Sequence, residues 1–375
     1  MLVLCGSVLG VLTMLYSVMA WIAVTKETRS AAYESKEAPP VTILKPLCGA
    51  EPETYAYLRS FCDQDYPEYQ VVFGVANAGD PALAIVERLR REFPDRDLKI
   101  SIDRRQHGSN RKVSNLINMM ELARHEVLVL ADSDVCVANN YLEKIAKPLV
   151  DKGVGIVTCT YRGNPRSGFW SLLGSLFIND WFIPSVRVSA MCGSRSFAFG
   201  ATIAIRREVL SAIGGLASIA NHLADDYRLG ELTRRAGLRS VLSEVVVETL
   251  VAETTLSELI RHELRWLRTI RAVRPLGYGF LFITFGLPVA ALGSMLAVGS
   301  IATIGMLATT LLFRVLLHLN TRPPGSSPLQ IFILPLRDIL SLGLWSWSFA
   351  TRRVQWRDCW FHIARDGSVQ VIESV

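Results

Sequence analysis

The chain has 375 residues and a mass of 41.6 kDa, which exceeds one small module and suits one large domain or two. Half of the residues are hydrophobic, 20% are charged and mean hydropathy is +0.29. That excludes a disordered chain and argues against an ordinary soluble enzyme, in which about 25% of residues are charged. The net charge of +6 comes without a Lys/Arg block or zinc-finger spacing, so nucleic acid is not an expected partner. A basic face against anionic lipid is the better reading. The seven cysteines, Cys5, Cys48, Cys62, Cys136, Cys159, Cys192 and Cys359, are scattered and contain no CxxC, which points to a reducing compartment without a disulfide framework or zinc site.

Leu2 to Val24 carries no charge over 23 residues, enough for a helix to cross a bilayer core of about 30 Å. It lacks the basic start and short apolar run of a cleaved signal peptide. Lys26, Arg29 and Lys36 follow it, which places the next segment on the cytoplasmic side.

Short apolar runs then alternate with helical patterns. Val41–Leu44, Tyr69–Val75, Leu98–Ile102 and Val127–Leu130 read as strands. Pro52 to Asp63, Ala82–Arg91 behind Pro81, and Asn110 to Arg124 read as helices. This alternation implies βαβ units and a mainly parallel sheet, whose ligands sit at the carboxyl ends of the strands. Lys45-Pro46-Leu47, Asn77 to Asp80 and Ala131 to Asp134 fall there. There is no GxGxxG after the first strand and no GxxxxGK(S/T), so dinucleotide and P-loop enzymes lose ground.

The apolar run from Gly277 to Phe313 is too long for one span and suggests a hairpin over about 277–296 and 299–319. A further stretch, 329–350, is interrupted by Pro335, Arg337 and Asp338. A full span there would put Arg352, Arg353 and Arg357 outside against the positive-inside rule, whereas a re-entrant segment would not. Both readings stay open. The expected organisation is a membrane helix at 1–25, a cytoplasmic domain at 38–275, a membrane region at 276–350 and a tail at 351–375.

Within the soluble domain, Asp132 and Asp134 follow an apolar strand and could share one hard cation, though Asp and Ser also simply form turns. Asp80 precedes Pro81 and could cap a helix. Lys112 near a helix start is unfavourable unless an anion lies close. Asp225 and Asp226 could cap a helix or supply a general base. Arg261 and Arg265 share a helix face, either as a basic membrane-proximal helix or as a phosphate clamp. Phe169 to Met191 is apolar and aromatic, either a core segment or an interfacial helix opening the site to lipid.

Asp80, Asp132 of DSD, Asp226 of DDY and Arg261–Trp266 in RxxRW resemble the D, D, D, (Q/R)xxRW signature of membrane β-glycosyltransferases. The runs KPLCGAEP at 45–52, GDPA at 79–82, NRKVSNL at 110–116, LADDY at 223–227 and RRVQWRD at 352–358 narrow the resemblance to the ceramide glucosyltransferase family, glycosyltransferase family 21. Its bacterial members include hopanoid-biosynthesis glycosyltransferases, to which this compact chain is similar. The resemblance implies a GT-A, Rossmann-like α/β domain and an integral enzyme of a bacterial inner membrane. It implies a UDP-sugar donor (UDP-glucose or UDP-N-acetylglucosamine), a lipid acceptor (ceramide or a hopanoid polyol) and Mg²⁺ or Mn²⁺.

By the same resemblance, Lys45, Pro46, Asp80 and Lys112 would face the nucleotide, and Gly200 and Ala201 the donor sugar. Asp132 and Asp134 would hold the metal and diphosphate, although many ceramide-type members carry another residue at the position of Asp134. Asp226 would be the base, and Arg261, Arg265 and Trp266 would line the diphosphate and acceptor end. The ceramide enzymes have a cysteine near the position of Phe197 that this chain lacks. The rival readings are a processive polysaccharide synthase, which would need more spans, and a non-catalytic membrane scaffold.

Overall fold

The computed structural model describes residues 1–26 and 38–374, apart from Ser167, Arg195, Phe197, Arg357, Asp358 and Arg365. Arg29, Lys36, Phe197 and Arg357, used above, therefore lie outside the described residues.

The centre is an eight-stranded mixed sheet. Its strands are β1 (Val41–Pro46), β2 (Tyr69–Val75), β3 (Asp97–Ile102), β4 (Val127–Ala131), β5 (Val135–Cys136), β6 (Val154–Pro165), β7 (Thr202–Arg206) and β8 (Arg239–Val251). Their order is β3-β2-β1-β4-β7-β6-β8-β5. β3, β2, β1 and β4 pair in parallel, as the alternating pattern requires, and β6 pairs in parallel with β8. β7 is antiparallel to both β4 and β6. β1, β2 and β4 read as unbroken apolar runs because both faces are covered, leaving every residue from Val41 to Lys45 and from Tyr69 to Val75 buried.

The covering helices are α2 (Thr54–Cys62), α3 (Ala82–Glu92), α4 (Arg111–Met119), α5 (Tyr141–Ala146), α6 (Gly168–Phe177), α7 (Ile183–Met191), α8 (Arg207–Ala212) and α9 (Asp225–Arg235). The helix expected over Asn110 to Arg124 ends at Met119; Asn110 caps it by accepting from the Val113 amide at 3.1 Å. One π-helical turn, Ile178–Phe182, joins α6 to α7, so Phe169 to Met191 is helical throughout. It packs against β6 on one side and against the N-terminal helix on the other. It is thus the join between the sheet and the apolar helices.

Those helices are α1 (Leu2–Thr25), α12 (Gly286–Leu296), α13 (Ile301–Thr321) and α14 (Leu334–Ser348), reached through α10 (Leu256–Val273) and α11 (Pro275–Gly279). Among the described residues three stretches are long and apolar enough to cross a membrane: Leu2–Thr25, Ile301–Thr321 and Pro328–Ser348. The 277–296 stretch is not one helix. Gly277, Gly279, Gly286 and Pro288 divide it into α11, a 3₁₀ turn at Leu281–Thr284 and the 11-residue α12. At 1.5 Å per residue α12 spans about 16 Å, short of a bilayer core. The charges interrupting 329–350 point inward: Arg337 pairs with Glu263 at 2.6 Å and Asp338 with Arg314 at 3.1 Å.

α1 lies directly on α12 and α13 because its small residues face them. A Cβ on Gly6 would stand 2.4 Å from the Gly293 carbonyl oxygen. Gly6→Val should therefore destabilise the protein by about 1–3 kcal/mol through overpacking; thermal unfolding in detergent, with no loss of stability, would contradict this close helix crossing.

Residues 353–374 form an antiparallel sheet, β9 (Arg353–Trp356), β10 (Cys359–Ile363) and β11 (Val369–Ser374), where the sequence suggested a tail. Val354, Cys359, Phe361, Ile363 and Val369 enclose Leu223, and the Val369 amide donates to Asn221 at 2.8 Å. This small sheet braces the loop ahead of Asp225.

Candidate active site

The parallel half of the sheet delivers its strand ends to one edge. β1 ends in Lys45, fully buried, whose ammonium donates to the Asp132 carbonyl and lies 3.8 Å from the Phe61 ring centre. Burial pushes Lys45 down to about 7, against the pull of Asp134 and Asp132. The turn after β4 presents Asp132 and Asp134. Thr249 of β8 donates to the Asp134 carboxylate at 3.0 Å, and the Leu250 amide donates to the Asp134 carbonyl at 3.0 Å.

Lys112, in the first turn of α4, reaches Asp132 at 2.6 Å and Asp225 at 3.5 Å. Burial lowers its proton affinity, but Asp132 and Asp225 outweigh this and hold the ammonium well above its ordinary range. The expected anion beside this lysine is, in this state, the chain's own carboxylates.

Asp225 and Asp226 open α9. The Asp226 carboxylate accepts from the Gly200 amide at 2.7 Å and the Tyr227 amide at 2.7 Å. Burial, then the neighbouring Asp225, push Asp226 up to about 6. Burial likewise raises Asp225, with Lys112 opposing. A side chain at position 200 would place its Cβ 3.3 Å from the Asp226 oxygen, so glycine keeps that face open. The Ala201 carbonyl accepts from the Asp132 amide at 3.3 Å, tying the start of β7 to the aspartate turn.

α10 contributes the RxxRW run. Thr255 caps it, accepting from the Glu258 amide at 3.2 Å. Arg265 lies in the field of Asp132, Tyr161, Asp134 and Glu253, and its guanidinium is 6.0 Å from the Trp356 ring centre of β9. Trp266 turns the other way, with ring centres 6.1 Å from Phe177, 6.3 Å from Tyr161 and 4.5 Å from His262.

The fold thus gathers Lys45, Lys112, Asp132, Asp134, Gly200, Ala201, Asp226 and Arg265 into one cleft. Two expected residues stand apart. Asp80 accepts from the Gly49 amide at 3.0 Å and the Ala82 amide at 2.9 Å, so it caps α3 and ties down the loop after β1. Arg261 is exposed on the outer side of α10, near Glu258. Pro46 closes β1 opposite Gly74.

Tyr161, half-buried on β6 amid the fields of Asp226, Asp132 and Asp134, was not legible beforehand. Nor were its stacking partner Phe182, at 4.4 Å, or Trp356 over Arg265. Only the WRD run in the sequence hinted at the last.

Among the described residues no three Asp, Glu, His or Cys side chains converge as a ready metal cage. Asp132 and Asp134 offer two carboxylates, and Asp132 repels the Asp134 charge. With Asp225 and Asp226 close by, the cleft carries more carboxylates than cations. That donor set suits Mg²⁺ or Mn²⁺, which take one or two carboxylates and complete their shell with phosphate oxygens and water.

A mixed sheet of this order with acidic turns at its strand ends defines a GT-A glycosyltransferase. A mannosyltransferase from Pyrobaculum calidifontis, solved with GDP-Man and Mn²⁺, shares the fold at TM-score 0.55 and 19% identity, over 93% of this chain and 97% of that one. The profile of glycosyl transferase family 21 matches residues 7–369, and the chain belongs to that family. Ceramide glucosyltransferase 3 of Caenorhabditis elegans is 23% identical over 349 residues, 90% of this chain and 75% of its own length. Ceramide glucosyltransferase of Komagataella phaffii is 33% identical over 108 residues, 28% of this chain and 21% of its own. The chain is a glycosyltransferase, with apolar helices that could span a membrane.

Proposed function

We propose that this protein moves a hexose or N-acetylhexosamine from a UDP-sugar, UDP-glucose or UDP-N-acetylglucosamine, to a hydroxyl of ceramide or a hopanoid polyol, with inversion at the anomeric carbon. One observation carries the reading: a half-buried carboxylate, Asp226, is fixed by two backbone amides beside the charged cluster of Lys112, Asp132, Asp134 and Arg265. Lys45, Pro46 and Asp80 are assigned to the nucleotide side, and Gly200 and Ala201 to the sugar.

Asp132 and Asp134 would hold the divalent cation, which when bound supplies positive charge to the leaving diphosphate. Lys112 would exchange its carboxylate partner for a phosphate oxygen, and Arg265 would add a second cation as charge grows on the leaving group. Arg261 would serve the diphosphate end after a movement of its exposed side chain. Asp226 takes the proton of the acceptor hydroxyl while its oxygen attacks the anomeric carbon from the face opposite the diphosphate. An α-linked donor then yields a β-glycoside without a covalent enzyme intermediate.

The acceptor would arrive from the membrane side. Lys26 after α1, and Arg268, Arg271 and Arg274 ahead of the apolar region, support a cytoplasmic catalytic domain in a bacterial inner membrane. The experiment is purified protein in detergent with Mg²⁺ or Mn²⁺, radiolabelled UDP-glucose or UDP-N-acetylglucosamine, and ceramide or a hopanoid tetrol. One labelled lipid is expected. UDP-sugar binding without any labelled lipid would overturn the acceptor assignment, and no binding would overturn the whole reading. A polymeric product would favour the processive synthase.

Trp170 packs beside Leu173 and Leu176 on α6, and Trp181 stacks on Phe177 at 4.4 Å while donating to Thr284 at 2.8 Å. Serine at both positions should reduce transfer to long-chain acceptors more than to short soluble ones. Equal loss on both would reject a lipid path along this helix.

A further inference from the structure

An aromatic wall runs from the carboxylate cleft toward the apolar helices. Tyr161, in the field of Asp226, lies 6.3 Å from Trp266. Trp266 lies 6.1 Å from Phe177, which stacks on Trp181 at 4.4 Å, and Trp181 lies 6.0 Å from Phe285. The far end borders a cavity lined by Tyr16, Phe177, Trp181, Thr284 and Phe285, between α1 and α12. Phe177 and Phe285 are buried, whereas Tyr161, Trp181 and Trp266 are half-buried, and a polar pair meets the row at Trp266.

His262 presents its ring edge to Trp266 at 4.5 Å and an interplanar angle of 73°. Its Nδ1 is engaged by the carboxylate of Glu253. The Glu253 side chain is 10% exposed, while His262 keeps 34% of its side chain open. Glu253 also lies in the field of Arg265, which joins this pair to the carboxylate cleft. The Glu253 carboxylate at Nδ1 sets the ring orientation and leaves Nε2 for another partner. Nothing in the transfer chemistry above uses it.

We propose that His262 is a specificity-determining residue for the lipid acceptor, forming a hydrogen bond at Nε2 with a second hydroxyl of the lipid, next to the one that reacts. Glu253 is the positioning residue that holds its ring. The inference rests on the lipid-glycosyltransfer reading and deepens it. A site built to hydrogen-bond one group discriminates strongly against an analogue that lacks it, because its own buried polar atoms then go unpaired. A lipid with a second hydroxyl beside the reacting one would be preferred over a simple long-chain alcohol.

The test compares ceramide with a primary alcohol of matched chain length, using the full-length protein in detergent. In His262→Ala the ratio of kcat/KM for ceramide over the alcohol should fall at least about tenfold, carried by the ceramide KM rather than by kcat. His262→Gln, which keeps a polar tip, should fall less. Glu253→Gln, which keeps a polar partner for Nδ1, should fall less than Glu253→Ala. An unchanged ratio in His262→Ala, or equal losses on both acceptors, would overturn the assignment and make the pair merely structural. Transfer to neither acceptor by a wild-type chain that still binds UDP-sugar would instead overturn ceramide as acceptor and this inference with it, and no UDP-sugar binding would overturn the glycosyltransfer reading, so the failures are distinguishable. UDP binding and melting temperature identify variants that fail to fold, and His262→Gln then decides.

Discussion

Asp226→Asn should lower glycosyl transfer by about 10²–10⁴-fold, the usual weight of a general base, while UDP-sugar binding persists. Asparagine keeps one acceptor oxygen, enough for either the Gly200 or the Tyr227 amide, and turns its NH2 toward the other. What disappears is the site that takes the acceptor's proton. The pH profile gives a second readout. The base works only when ionised, and burial with Asp225 raises it to about 6. kcat/KM should therefore fall as pH drops through about 6, and this acidic limb should vanish in the residual rate of the variant. Stability has the opposite dependence. A carboxyl raised above its unfolded value of 3.8 contributes most below that value, and the contribution is lost as pH rises through about 6. At neutral pH the neutral amide removes this cost but loses one backbone hydrogen bond, so the two effects on melting temperature oppose each other. A variant that binds UDP-sugar and retains a tenth of the activity, or keeps the acidic limb, would remove Asp226 from the role of base.

The second large effect lies in the apolar helices. Arg314 of α13 pairs with Asp180 of the π-helical turn at 3.0 Å and with Asp338 of α14 at 3.1 Å. Thr321 donates to Asp180 at 2.6 Å and His318 adds a contact at 2.9 Å. The Asp180 and His318 side chains are fully buried and that of Arg314 is 9% exposed. Arg314→Met keeps volume but strands two carboxylates away from water, and should destabilise the protein by about 3–5 kcal/mol. Arg314→Lys keeps the charge and loses the forked geometry, so its loss should be smaller. The triple variant Asp180→Asn, Arg314→Met, Asp338→Asn leaves no unpaired charge and should recover much of the deficit. Thermal unfolding in detergent reads all three. A single variant as stable as wild type would mean that this cluster does not hold the helices together.

Much of the sheet was legible because its signals are local. β1, β2 and β4 announce themselves as apolar runs wherever both faces are covered, and Asn110 opens the helix expected there. The antiparallel β7 and the C-terminal sheet were missed because pairing between distant segments leaves no local mark. The 277–296 stretch misled for a related reason: hydropathy counts apolar residues, whereas helix continuity there is broken by glycines and Pro288.

By itself the sequence determined which residues could carry chemistry. Asp132, Asp134, Asp226, Lys112 and Arg265 stand in short runs that read either as turns, caps and a basic helix or as a charged, phosphate-facing site. The tertiary structure decided their company. It set Lys112 against Asp132 and Asp225, fixed Asp226 with the amide of a residue 26 positions away, and placed Tyr161 and the His262–Glu253 pair beside Trp266. The physical reason is that proton affinity, orientation and access depend on burial and on partners brought together by long-range packing, and neither is written in the spacing of any one motif.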